Sequence, residues 1–174
     1  MRELADAERI CRFMRELGLV AKHEGRVYLT GGTTAVLKGW RSSTVDVDLK
    51  LVPDQDELLR AIPRLKESLK LNVELAAPDQ FIPALPGWEE RSPFIAREGR
   101  LFFHHYDLYA QALSKIERGH AKDAEDVEAL LRLGLIERTK LLELYEAIEP
   151  LLYRYPSLDP KSFRRAVERI VAGS

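Results

Sequence analysis

The sequence predicts an α+β protein: helices mixed with about five short strands over the first two-thirds, followed by a helical C-terminal part. Three patterns carry that prediction. Residues 45–51, VDVDLKL, alternate strictly between apolar and polar, the period of a half-buried strand. Residues 2–18 and 54–69 repeat apolar side chains every three to four positions, the period of a helix lying on a core. Beyond Tyr106 the apolar spacing is helical throughout, so strands and helices are not interleaved to the end of the chain. The expected division is an α+β core over residues 1–106 and a helical part over 107–174 packed on it.

The elements follow in order. Leu4, Ala7, Ile10, Cys11, Met14 and Leu17 form one face of a first helix, which Gly18 is placed to close. Residues 27–30, VYLT, read as a short strand after Gly25, and Gly31-Gly32 as a tight turn into a short helix ended by Gly39. Val45, Val47, Leu49 and Leu51 put one face of the next strand into the core, leaving Asp46, Asp48 and Lys50 on the other. Leu58, Leu59, Ile62, Leu65 and Leu69 line the inner face of a helix over 54–69, where Pro63 predicts a kink or a split. Residues 71–76 alternate again, with Leu71, Val73 and Leu75 opposite Asn72 and Glu74. Residues 77–93 are proline-rich and irregular, long enough to mark a functional loop. Residues 94–105 read as a hairpin turning near Glu98-Gly99. Helices are expected over 107–118, 122–133, 138–148 and 160–172.

Composition removes several functional classes. With 27 Lys+Arg against 28 Asp+Glu the net charge is −1, so no polybasic arm grips nucleic acid by bulk charge. One cysteine, Cys11, excludes an internal disulfide framework and a cysteine-based zinc cluster. No apolar run approaches the roughly 18 residues of a membrane span, and the N-terminal segment is charged with no apolar signal region. A cytoplasmic protein is expected, with no membrane partner.

Chemistry concentrates in residues 29–51. On a strand, positions i and i+2 share a face with Cα atoms roughly 6.5–7 Å apart, so Asp46 and Asp48 repel unless a cation lies between them. A divalent ion such as Mg²⁺, which takes hard oxygen ligands and often substrate phosphates as well, is the simplest such partner. A solvated edge-strand face is the plain alternative. Gly31 and Gly32 shift the balance. A glycine turn opening a helix lets the backbone approach an anion closely, and Thr33 and Thr34 add hydroxyls or caps.

With these residues the stretch LTGGTTAVLKGWRSSTVDVDLKL resembles the nucleotidyltransferase superfamily, whose polymerase-β-like core carries an apolar residue, Gly, then Gly or Ser, and Asp-x-Asp on the following strand. The resemblance implies a small mixed-sheet nucleotidyltransferase core. It implies that Gly31, Gly32 and Thr33 hold nucleotide phosphates and that Asp46 and Asp48 bind Mg²⁺, with two ions and a nucleoside triphosphate as substrate. A third carboxylate comes from a neighbouring strand in that family. Glu74, on the polar face of the next strand, is the choice here, and Asp79 in the loop is its competitor. Residues 107–131 and 78–91 are similar to bacterial nucleotidyltransferase-like proteins of unassigned function, themselves related to the toxin half of abortive-infection toxin–antitoxin pairs. A tRNA end or a protein side chain would then be the acceptor and an antitoxin a partner. Lys115, Arg118 and Lys122 form a basic cluster that could meet triphosphate or RNA, or pair with acids such as Asp123 and Asp126. Arg41 is a further phosphate candidate. A binding or regulatory protein on the same fold, with transfer chemistry lost, is the second reading.

Overall fold

The computed structural model describes residues 2–173. The chain forms two compact units. One comprises the chain up to Ala77 together with Ser92–Tyr106, and the other comprises Pro78–Arg91 together with the chain from Asp107 onward.

The first unit holds helices α1 (Ala7–Val20), α2 (Gly32–Lys38) and α3 (Asp56–Ser68) and strands β1 (Gly25–Thr30), β2 (Asp46–Val52), β3 (Asn72–Leu75), β4 (Phe94–Glu98) and β5 (Leu101–His105). The strands make one mixed sheet in the order β3-β2-β1-β5-β4. β1 pairs antiparallel with β2 and parallel with β5; β2 runs parallel to β3 and β4 antiparallel to β5. The α+β architecture is thus the one the alternation and helical spacing predict, and the mixed sheet is the one the resemblance implies. Val27, Leu29, Val47, Leu49, Leu101 and Phe103 from the strands pack with Ile10, Phe13, Met14 and Leu17 of α1 and Leu58, Ala61 and Ile62 of α3. Burial of these apolar residues on one sheet face leaves the even-numbered positions of β2 on the other face.

Several local expectations are corrected. Val45 precedes β2 and is 61% exposed, Leu75 at the end of β3 is 48% exposed, and Ala7 at the start of α1 is exposed, so none of the three joins the core. Leu4 lies outside the core, 58% exposed, because the chain before α1 is pinned one residue later: Ala5 bridges Thr44 and is fully buried, while Asp6 caps the helix by accepting from Arg9 N. Pro63 neither splits nor ends α3, which continues to Ser68. It stands on the exposed side of that helix, where a carbonyl deprived of its helical donor can turn to water. Gly18 does not close α1, which runs on to Val20. A Cβ there would sit 2.5 Å from the carbonyl oxygen of Glu98, so the glycine is required by backbone-to-backbone contact with the hairpin. Gly18→Ala is therefore expected to destabilise the protein by about 1–3 kcal/mol despite alanine's higher helix propensity. A thermal melt lowered by several degrees would register it, whereas an unchanged or raised melt would contradict the contact.

The second unit holds α4 (Trp88–Arg91), α5 (Leu108–Arg118), α6 (Ala121–Arg132), α7 (Arg138–Ile148) and α8 (Pro160–Val171), with 3-10 turns at Pro78–Gln80 and Glu149–Arg154. Residues 77–93 are therefore less irregular than the prolines suggest. Ala112, Leu113, Val127, Leu130, Leu141, Tyr145, Ile148, Phe163 and Val167 are buried, and Tyr145 meets Phe163 edge-on at 4.9 Å. Two polar ties hold the loop to the helices. Arg91 forks onto the buried Asp107 carboxylate (Nη2 to Oδ2 2.7 Å, Nε to Oδ2 3.2 Å), and Asp107 in turn caps α5 by accepting from Tyr109 N. The Tyr155 hydroxyl donates to the Asp79 carbonyl at 2.7 Å. Among the described residues no helix is long and apolar enough to cross a membrane.

Candidate active site

β2 and β3 build the site by register. Their parallel pairing sets Asp46 beside Asn72 and Asp48 beside Glu74. Since Val47, Leu49 and Val73 are committed to the core, all four polar side chains are driven to the opposite face. One oxygen from each of Asp46, Asp48 and Glu74 lies within 4.8 Å of the others. Asp46 and Asp48 are half-buried and Glu74 is exposed. Three carboxylates this close repel by about 1 kcal/mol per pair even at the dielectric of water. Asn72 answers part of that repulsion: its Nδ2 donates to Asp46 Oδ1 and, at 3.1 Å, to Glu74 Oε1. The donor set is all hard, anionic oxygen with one exposed member, which fits Mg²⁺ or Mn²⁺ and does not fit a thiophilic metal.

The glycine turn abuts these carboxylates. Gly31 has φ +67°, and a Cβ on it would fall 2.9 Å from Asp48 Oδ2. Gly32 is enclosed on its other side. A Cβ there would meet Thr44 Oγ1 at 2.1 Å, with Arg41 Nη1 3.6 Å away. Side chains are excluded at both positions, so the backbone itself forms the wall beside Asp48. Thr33 is fully buried, and its hydroxyl donates to the Asp46 carbonyl (3.5 Å), as does that of Thr44 (3.2 Å). These contacts fix where β2 begins.

The remaining candidates lie in the second unit. Asp79 is on the Pro78–Gln80 turn. Lys115 is buried, with Nζ 2.8 Å from Asp126 Oδ2 and 3.5 Å from Asp123 Oδ1. Arg118 forks onto Asp123 through Nε (2.8 Å) and Nη2 (2.6 Å). Burial pushes the Asp123 carboxyl up, but the Arg118 hydrogen bonds and the Lys115 charge outweigh it and hold the group below its ordinary range. α5 and α6 thus bring Lys115 and Arg118 onto the acids that follow them.

The histidine pair divides as adjacent strand residues must. His104 faces Tyr28 and Phe94, with Nδ1 on the Ser92 carbonyl. His105 is buried on the other side, with Nδ1 3.0 Å from Thr34 Oγ1. The Thr34 hydroxyl also lies 3.4 Å from the Leu29 carbonyl, so it sits between that oxygen and the imidazole. Burial first, then the charges of Lys38 and His104, lower the His105 pKa to about 4. The native state therefore refuses a proton that the unfolded chain takes up near pH 6.5, and stability falls as pH drops from about 7 to 4. The expected loss at pH 4 is on the order of 3 kcal/mol. Urea denaturation across that range should show a shallower pH slope for His105→Asn, and an identical slope would contradict the assignment.

The site residue that sequence reasoning passed over is Asn72. Its membership of the polar face was visible; its partnership with Asp46 depends on the β2–β3 register, which no local pattern encodes.

Among known proteins, the family model described as "Nucleotidyltransferase of unknown function (DUF6036)" matches residues 8–171. No curated protein and no solved structure matches the chain.

Proposed function

The chain belongs to that nucleotidyltransferase family, and from this premise we propose that it transfers a nucleoside monophosphate from a nucleoside triphosphate to a hydroxyl of RNA, such as a tRNA end, or of a protein, with Mg²⁺ bound by Asp46, Asp48 and Glu74. The observation that carries the reading is the convergence of those three carboxylates within 4.8 Å, against a turn where Gly31 and Gly32 exclude side chains. When bound, divalent ions supply positive charge against the negative charge that grows on the phosphate oxygens.

The chain's own groups do the rest. The bare backbone at Gly31 and Gly32, where the chain turns into α2, lets a triphosphate lie close. Arg41, whose guanidinium reaches the Gly32 turn, matches phosphate oxygens as a planar fork. The acceptor oxygen attacks the α-phosphorus in line, and the bond to pyrophosphate breaks as the new P–O bond forms. Glu74, the exposed carboxylate, takes the acceptor's proton. Fixed positions and fixed charges account for most of the acceleration in such a transfer. A triphosphate role for Lys115 and Arg118 requires each to exchange an aspartate for phosphate oxygens. A binding or regulatory protein on the same fold, with transfer chemistry lost, is the alternative, and triphosphate binding without transfer is the result that would favour it.

The test is incubation with Mg²⁺, each α-labelled triphosphate, and total cellular RNA and protein. Label is expected in one macromolecular fraction and is expected to vanish with Asp48→Ala. Absence of both transfer and triphosphate binding would overturn the proposal. Growth arrest on expression, relieved by Asp48→Ala, is the result expected of a toxin.

A further inference from the structure

We propose that Asn72 is a positioning residue of this site: its side-chain amide clasps Asp46 and Glu74 and turns their remaining oxygens to converge with Asp48. The inference rests on the reading of the three carboxylates as a divalent-cation site.

Three observations support it. Asn72 is the one asparagine in the sequence, and it stands at the register position beside Asp46, on the same face as Glu74 two residues along β3. Its Nδ2 meets an oxygen of each carboxylate. That orientation is dictated chemically, because carboxylates only accept and the flipped amide would set Oδ1 against two anions. Finally, an amide has two hydrogens on one nitrogen, so it can tie two carboxylates while using a single oxygen of each.

The residue type is also informative by exclusion. Lysine at this position would draw the carboxylates together but would compete with a cation for them. Aspartate would add a fourth negative charge and no donor. Leucine or alanine would leave the two acids on adjacent strands free to swing apart. Asparagine alone of these supplies donors with no net charge.

The test uses the full chain, Mn²⁺ as probe, and two variants. Titration calorimetry is expected to show Asn72→Ala binding Mn²⁺ about 10-fold more weakly than wild type, the usual loss when a ligand's hydrogen-bonding partner is removed. In EDTA, Asn72→Asp is expected to melt below wild type, and Mn²⁺ is expected to raise its melting temperature by more than it raises that of wild type. Circular dichroism well below the melt establishes that both variants are folded. Mn²⁺ affinity in Asn72→Ala equal to or tighter than wild type would overturn the clasp while leaving the cation site intact. A wild type that binds no Mn²⁺ would instead overturn the cation site itself, and the clasp with it.

Discussion

Asp48→Ala is expected to reduce nucleotidyl transfer by about 10³-fold or more while leaving the protein folded. Asp48 is the residue at which the two halves of the site meet. Its carboxylate shares the 4.8 Å cluster with Asp46 and Glu74, and its Oδ2 lies against the position a Gly31 side chain would occupy. Loss of one anionic ligand to a cation that neutralises a phosphoryl-transfer transition state forfeits several kcal/mol of charge stabilisation, and about 4 kcal/mol is a thousandfold in rate. Stability should move the other way. Removing one of three mutually repelling carboxylates relieves about 1 kcal/mol per pair, so the metal-free melting temperature should hold or rise. A melt run beside the transfer assay separates loss of chemistry from loss of fold. Retained transfer with retained fold would remove Asp48 from the site.

The second large effect is expected at Lys115. Lys115→Met leaves Asp126, a carboxylate with 1% of its side chain exposed, without the cation 2.8 Å away. Removing one partner of a buried ion pair typically costs about 3–5 kcal/mol. For a chain of this size that corresponds to a fall in melting temperature of about 10 °C. Because an apolar pair of similar volume can replace a buried ion pair, Lys115→Met/Asp126→Leu should regain much of the loss. Arg118 keeps its own fork on Asp123 in both variants. The two tryptophans make the effect local to read: Trp88 belongs to the unit that contains Lys115, Trp40 to the other. Fluorescence changes at low denaturant should come from Trp88. A melt within 1–2 °C of wild type for Lys115→Met would contradict the structural weight given to this pair.

Particular residues show why some of this could be read in advance. Asp46 and Asp48 were legible because β2 buries one face only, and strict alternation admits a single assignment of faces. Glu74 is legible on the same ground, as part of the polar face of residues 71–76, and one of its oxygens lies within 4.8 Å of oxygens of the two aspartates. Gly31 and Gly32 were legible as a turn, but their closeness to Asp48 and Thr44 is tertiary and left no trace in the local pattern. Gly18 shows the same limit. A glycine near a helix end suggests a cap, and only the hairpin packed against it reveals a contact that excludes Cβ. Leu4 fitted the helical period yet stayed outside, because Ala5 was the residue captured by Thr44. The basic cluster was visible as charge at helical spacing, whereas the pairing of Lys115 with Asp126 arises from the packing of α5 on α6. Spacing reports which face a residue takes; it does not report which strand or helix will lie beside that face.

The most direct measurement is titration calorimetry of each nucleoside triphosphate, as a non-hydrolysable analogue, into wild type and Asp46→Ala/Asp48→Ala, with Mn²⁺ and in EDTA. At least one analogue should bind wild type with Mn²⁺, bind far more weakly in EDTA, and fail to bind the double variant under either condition. Binding that is indifferent to both the ion and the two aspartates, or no binding by wild type at all, would contradict the central claim that these carboxylates hold a cation for a triphosphate.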